Sequence, residues 1–150
     1  MYLIIIKNKE TFIHYGKILS KLISKNSLFF LLGNLGIGKT TLIKSIVGTL
    51  TKYKANIKSP SYKLIEQYKI KKKNIYHIDF FKINNIKKLN EIDFLNYSKK
   101  NACFLIEWGD KIKIKNFKPD ARIYLFYYSN FFNRLIIIKS NFLNFKKLFG

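Results

Sequence analysis

The chain has 150 residues, of which 48% are hydrophobic and 17% aromatic, so one domain with a buried core is expected rather than disorder. Its net charge is +21, but all its basic residues except Arg122 and Arg134 are lysines, spread along the chain. This pattern is typical of solvated faces rather than of an arginine-rich nucleic-acid site, and the apolar runs are too short to cross a membrane.

In chain order, the predicted elements alternate between strands, where apolar residues run together or alternate, and helices, where they recur at helical spacing. They are a strand at 2–7, a helix at 11–24, a strand at 28–33, a helix at 39–52, strands at 62–70 and 74–80, a helix at 86–97, a strand at 102–107, a hairpin of 121–128 and 134–139, and a closing helix from Asn141. The order predicts an α/β fold over residues 1–150, in one domain of three layers with a mixed central sheet.

The single cysteine, Cys103, lies in the predicted strand 102–107. It has no partner for an intramolecular disulfide, which favours a reducing compartment. No basic segment precedes the first apolar run and no small-residue cleavage site appears, so no signal peptide is expected. These features predict a cytoplasmic protein.

A phosphate-loop pattern, Gly33-x4-Gly38-Lys39-Thr40, stands between the second predicted strand and the second predicted helix. Glycines allow the backbone to wrap a phosphate with its N–H groups inward, and the helix N-terminus adds positive potential. Lys39 can reach the β- and γ-phosphates, and Thr40 brings a hydroxyl to Mg²⁺. This Walker A pattern predicts a P-loop NTPase.

Two carboxylates end predicted strands, Asp79 after "NIYHI" and Glu107 after "ACFLI". In an α/β sheet both would lie at the edge where the phosphate loop lies. One of them can hold Mg²⁺ and the other can orient the attacking water. The sequence leaves open which acid has which role.

Features that are missing from the sequence disfavour two classes of phosphate-loop protein, the GTPases and the small-molecule kinases. No Asn-Lys-x-Asp motif for guanine follows the phosphate loop, and two late arginines are few for a small-molecule kinase. A small nucleotide-binding or nucleotide-hydrolysing domain remains, directed to adenine and acting on another protein. A nucleotide-sensing module without functional turnover and a small-molecule kinase stay as alternatives.

Three further segments accompany the phosphate loop: "NIKSPSYKLIEQY" (56–68), "IYHIDFFKI" (75–83) and "LIEWGDK" (105–111). Together they resemble the TsaE (YjeE) family of bacterial ATPases for tRNA threonylcarbamoyladenosine (t6A) biosynthesis. The resemblance implies binding of ATP and Mg²⁺, slow ATP hydrolysis, and association with a TsaB–TsaD pair that modifies A37 of tRNA. The tRNA would be an indirect partner, and whether the lysines contact it stays open.

The resemblance and the loop pattern together assign site residues. The catalytic candidates are Lys39, Asp79 and Glu107, and the metal candidates are Thr40, Asp79 and Glu107. The nucleotide-binding candidates are Thr11, Gly33, Leu35, Gly36, Ile37, Gly38, Lys39, Thr40, Thr41, Ser61, Trp108, Asn133 and Arg134. Ser61 stands where the family usually has Thr and keeps a hydroxyl, and Lys82 stands where Arg is usual and keeps the charge but loses the bidentate geometry.

Several other side chains are expected to be structural. His77 has no cluster of metal-ligating neighbours in the sequence and is expected to pack in the core. Tyr124, Phe126 and Tyr128 alternate along one strand, which is typical of a sheet core. If that face is exposed, it becomes a candidate docking surface.

Overall fold

The computed structural model describes residues 1–23, 26–52, 56–60, 63–70, 73–83, 102–113, 118–129 and 133–141. The helix predicted at 86–97, the closing helix and Ser61 lie outside these residues. The elements of the described part are β1 Tyr2–Ile6, α1 Lys9–Ser20, β2 Ser27–Leu32, α2 Lys39–Leu50, β3 Ile65–Ile70, β4 Lys73–Asp79, a short 3-10 helix Phe80–Lys82, β5 Ala102–Glu107, β6 Ala121–Tyr128 and β7 Asn133–Ser140.

The strands form a seven-stranded sheet in the order β1-β7-β6-β2-β5-β4-β3. The strand β2 pairs in parallel with both β5 and β6, and β4 pairs in parallel with β5. The outer pairs β1–β7, β6–β7 and β3–β4 are antiparallel. The predicted α/β class with a mixed central sheet is therefore confirmed.

The alternation of side chains along β2 divides the core into two parts. Phe29 and Leu31 pack with apolar residues of α1 and α2, whereas Leu28 and Phe30 pack on the opposite face of the sheet. All six residues of β2 are buried, which is why this strand reads as a continuous apolar run. Both described helices therefore cover the same face.

The aromatic residues of β6 do not form the core that their alternation predicts. Ile123 and Leu125 fill the helix-covered face, so Tyr124, Phe126 and Tyr128 lie on the other one. Phe126 and Tyr128 are 46% and 42% exposed, and Tyr124 is half-buried. The prediction is wrong for Phe126 and Tyr128, because neither described helix packs over that side of β6.

Parallel pairing brings the ends of three neighbouring strands to one edge of the sheet. Leu31 pairs with Glu107, and Glu107 pairs with Asp79. The phosphate loop leaves β2 at this same edge and leads into α2. The fold thus places both strand-end carboxylates beside the loop.

Candidate functional site

The loop backbone requires glycine at two places. Gly33 and Gly38 have φ of +138° and +111°, values that side-chain-bearing residues rarely adopt. A Cβ on Gly33 would lie 2.4 Å from the Leu125 carbonyl oxygen, and one on Gly38 would lie 2.8 Å from the Phe12 ring. Gly38 caps α2 without a side-chain hydrogen bond, so the first N–H groups of the helix remain available to an anion.

Lys39 folds back over the loop that precedes it. Its ammonium group donates hydrogen bonds of 2.9 Å to the carbonyl oxygens of Gly33 and Asn34 and lies 4.1 Å from the centre of the Trp108 ring. The residue is only 4% exposed. Burial lowers the pKa of Lys39, while the nearby Glu107 and Asp79 carboxylates act in the opposite direction. The site thus holds a cation with neutral carbonyl partners.

Thr40 and Glu107 are joined across the site. The Thr40 hydroxyl donates a 2.7 Å hydrogen bond to Oε1 of Glu107, which is 4% exposed at the end of β5. The same Oε1 lies 2.8 Å from Nε2 of His77. His77 is fully buried, as predicted, but it contacts a site carboxylate as well as packing in the core.

Asp79 ends β4 beside Glu107 and begins the short 3-10 helix. Its Oδ1 accepts a 2.9 Å hydrogen bond from the Phe81 N–H. Burial raises the pKa of Asp79, and the Glu107 carboxylate adds to this rise. The Phe81 N–H, His77 and Lys39 act in the opposite direction without overcoming it. The two carboxylates are thus close enough to influence each other.

These groups line one cavity of about 210 Å³ at the edge of the sheet. Its walls are formed by Leu35, Gly36, Gly38, Lys39, Thr40, Thr41, Asp79, Glu107 and Trp108. Loop N–H groups and an ammonium group suit a phosphate chain, and a hydroxyl with two carboxylates provides the oxygen ligands that Mg²⁺ prefers. The cavity therefore combines an anion site with a site suited to a hard cation.

Comparison with known proteins shows the family of the chain. The sequence model of the family described as threonylcarbamoyl adenosine biosynthesis protein TsaE matches residues 6–134. The chain belongs to the TsaE family. The Haemophilus influenzae protein named tRNA threonylcarbamoyladenosine biosynthesis protein TsaE is 31% identical over 128 residues, which cover 85% of this chain and 80% of the relative.

Two further relatives extend the comparison. The TsaE of Rickettsia prowazekii is 32% identical over 108 residues, covering 72% of this chain and 74% of its own. The crystal structure of YdiB from Bacillus subtilis superposes with a TM-score of 0.69 at 19% identity, covering 98% of this chain and 90% of that chain. At that identity the superposition shows a shared fold.

Some of the candidate residues lie beside the cavity rather than in its walls. Thr11 donates both its N–H and its hydroxyl to Asn8 Oδ1, where it completes the N-terminal cap of α1. Arg134 donates from Nε to the Ile37 carbonyl oxygen at 3.0 Å and lies over the Tyr127 ring. Ile37, Gly33 and Asn133 are likewise absent from the cavity walls. Ile37 and Gly33 contribute through their carbonyl oxygens, which accept from Arg134 and Lys39.

Some contacts of the site carry no signal in the sequence. Phe12 lies against Gly38, and Phe81 packs 5.3 Å from the ring of Trp108. Trp108 is half-buried with φ of +59°, and it both lines the cavity and packs against the core on the face of the sheet opposite the helices. In the sequence, Phe12 looks like any other apolar residue of a helix. Its contact with Gly38 joins two elements, and local sequence patterns do not report such contacts.

Two features are absent from the part of the chain that the structure describes. Neither α1 nor α2 has the length and apolar character needed to cross a bilayer. Within the same ranges, no three His, Cys, Asp or Glu side chains gather into a metal-binding cluster. A cation at Thr40 and Glu107 would therefore need further oxygen ligands, which the phosphates of a nucleotide can supply.

Proposed function

We propose that this protein is the ATPase component of tRNA t6A modification at A37, binding ATP with Mg²⁺ and acting on a TsaB–TsaD-like transferase complex. The observation that carries the proposal is the cavity in which the phosphate loop, Lys39 and the Thr40–Glu107 pair meet. The names of the relatives supply the pathway. In this proposal the threonylcarbamoyl transfer belongs to the partner complex.

The phosphate loop supplies the binding energy for the triphosphate. Gly36, Gly38 and the first residues of α2 line the cavity, and backbone N–H groups are the donors with which such a loop binds phosphate. The Lys39 ammonium group donates to two carbonyl oxygens, which it would exchange for a phosphate oxygen. Exchanging neutral acceptors for an anionic one strengthens the hydrogen bonds of the ammonium group. Bound phosphate is therefore the better partner for Lys39.

The metal would be held by Thr40 and Glu107, with Asp79 as a further oxygen ligand or as the group that orients water. Mg²⁺ bound there would neutralise charge on the phosphates. The Thr40 hydroxyl donates a hydrogen bond to Glu107, which leaves the lone pairs of the hydroxyl oxygen for a cation. The raised pKa of Asp79 makes its ionised form a better proton acceptor from water.

A small-molecule kinase has less support than an ATPase. Arg122 is exposed on β6, and Arg134 is bonded to the Ile37 carbonyl oxygen. Neither arginine lines the cavity where a phosphoryl group would be transferred. The buried thiol of Cys103 accords with a reducing compartment, and we place the activity in the cytoplasm.

The decisive experiment replaces Lys39 and so removes its ammonium group from the cavity. Lys39→Met should weaken ATP binding at least about tenfold, or about 1.4 kcal/mol, because the phosphates lose their charged hydrogen-bond donor. Lys69→Met removes an exposed lysine of β3 and should leave the affinity unchanged. Equilibrium dialysis with ATP and Mg²⁺ measures both. Equal affinity in the wild type and Lys39→Met would overturn the site assignment.

A second variant in the same experiment separates an ATPase from a nucleotide-sensing module. Glu107→Gln keeps the shape of the side chain, and we expect it to retain ATP while hydrolysis falls by about 100-fold. Reconstitution with the TsaB–TsaD pair and tRNA then measures t6A formation. If Glu107→Gln sustains repeated rounds of modification, turnover is not the working step and the sensing module is the better description.

A further inference from the structure

The buried side chain of His77 contacts Glu107, the carboxylate that is proposed to hold the metal. His77 lies on β4 two residues before Asp79, and its side chain is on the same face as Asp79 and Glu107. The ring is fully buried, and its Nε2 is 2.8 Å from Oε1 of Glu107. It does not line the cavity, and among the described residues its hydrogen bond to the site is the one with Glu107.

The hydrogen bonds of Glu107 are unevenly divided between its two oxygens. Oε1 receives both the Thr40 hydroxyl at 2.7 Å and the His77 ring at 2.8 Å. An ionised carboxylate only accepts, so Nε2 of His77 must carry a proton and donate it. Within the described residues, both hydrogen bonds of the Glu107 carboxylate go to Oε1 and none goes to Oε2. Two donors on one oxygen thus leave the other oxygen for a ligand.

The surroundings of Nδ1, the second ring nitrogen of His77, indicate that this side chain does more than fill space in the core. Nδ1 is buried and has no hydrogen-bond partner among the described residues. Burying a polar atom without a partner costs free energy that an apolar side chain of similar size would not incur. Among the described residues, the contact with Glu107 is the one hydrogen bond of the ring, and it offsets this cost.

We infer that His77 is a positioning residue whose Nε2–H holds the Glu107 carboxylate in the orientation that presents Oε2 to Mg²⁺. The inference rests on the proposed function, since it concerns the same metal site. His77 itself touches neither nucleotide nor metal. It acts as the outer hydrogen-bond donor that fixes a metal-ligating side chain, together with Thr40.

A matched pair of variants tests the donor. Gln and Met have similar length and shape, but only Gln can place an N–H near the position of Nε2. Binding of ATP is measured at equilibrium without metal and over a Mg²⁺ titration, with the melting temperature as a check on folding. His77→Met should bind ATP without metal within about twofold of wild type.

We expect the Mg²⁺ concentration for half-maximal tightening of ATP binding to rise about 10–100-fold in His77→Met, as is typical when an outer partner of a metal ligand is lost. His77→Gln should restore it to within about threefold of wild type. If His77→Met leaves the Mg²⁺ requirement unchanged, or both variants are equally impaired, the positioning role is overturned. A wild type whose ATP binding ignores Mg²⁺ would instead overturn the proposed function.

A measurement on the wild-type protein tests the inference even if His77→Met does not fold. In a long-range ¹H–¹⁵N spectrum of histidine-labelled protein, His77 should show a proton on Nε2 that is protected from exchange. Nε2 without a proton would contradict the inference, because only a protonated Nε2 can donate to Glu107.

Discussion

Two ionisable side chains, Lys39 and Asp79, are held where burial opposes their charged forms. Burial lowers the pKa of Lys39 and raises that of Asp79. Each group therefore reduces the stability of the empty protein, and each faces the same cavity. Such opposed shifts in one cleft are typical of binding and catalytic sites. A bound nucleotide and metal ion would offset the free-energy cost of burying these two charged side chains.

Asp79→Asn should therefore stabilise the metal-free protein at neutral pH. The folded-state pKa of Asp79 lies above its unfolded value, so the penalty of the ionised carboxylate is present above that raised pKa and disappears as the pH falls below the unfolded value. The asparagine oxygen can still accept from the Phe81 N–H. We expect a gain below about 1 kcal/mol, because solvent screens a half-exposed group.

Urea unfolding at pH 7 and near pH 4 measures this effect. Asp110→Asn is the control, because it makes the same change in net charge at an exposed position. An equal gain in both variants would contradict the burial argument and indicate a general charge effect. A gain in Asp79→Asn that does not shrink at low pH would contradict it as well.

At the scale of elements, the close approach of α1 and α2 supports the phosphate loop. A Cβ on Gly16 would lie 2.3 Å from Cβ of Ser45 and 2.9 Å from the Ser45 backbone carbon. The same packing brings Phe12 of α1 against Gly38, the cap of α2. Glycine at position 16 therefore acts through helix packing, although it is unfavourable for the helix itself.

Gly16→Ala should destabilise the protein by about 1–3 kcal/mol, because the added methyl group forces the two helices apart. The helix propensity of alanine works against this by about 1 kcal/mol. Urea unfolding measures the net change, and Lys17→Ala serves as an exposed control on the same helix. A more stable Gly16→Ala protein would show that the helices tolerate the methyl group.

At the scale of the whole molecule, the main electrostatic feature is a large excess of positive over negative side chains. There are 29 basic and 8 acidic residues, so at least 21 basic side chains have no carboxylate to pair with. Like charges on a compact surface repel one another and favour the expanded chain. Most of these side chains are lysines, whose hydrated ammonium groups stay in solvent.

Salt should therefore stabilise the fold. Raising NaCl from about 0.01 M to about 0.15 M shortens the Debye length from about 30 Å to about 8 Å. We expect a gain of about 1 kcal/mol, seen as a rise in Tm of about 2–4 °C. Most of the gain should occur within this range, because screening then saturates. Stability that falls with added salt would show that attractive ion pairs outweigh the repulsion.

Local patterns in the sequence account for most element positions. The predicted strands 102–107 and 121–128 coincide with β5 and β6, and the predicted helix 39–52 ends two residues later than α2. The first helix begins two residues earlier than predicted, because Asn8 rather than a later residue caps it. Such boundaries depend on single hydrogen bonds, which periodicity does not report.

The sequence by itself determined the phosphate loop, the strand-end acids and the alternation of strands and helices, because these depend on residues that are close along the chain. Only the tertiary structure decided that Glu107 lies between Thr40 and His77, that Arg134 bonds to the Ile37 carbonyl oxygen, and that Phe126 is exposed. These contacts join residues from separate elements, and strand order and packing bring them together. Local spacing carries no information about either.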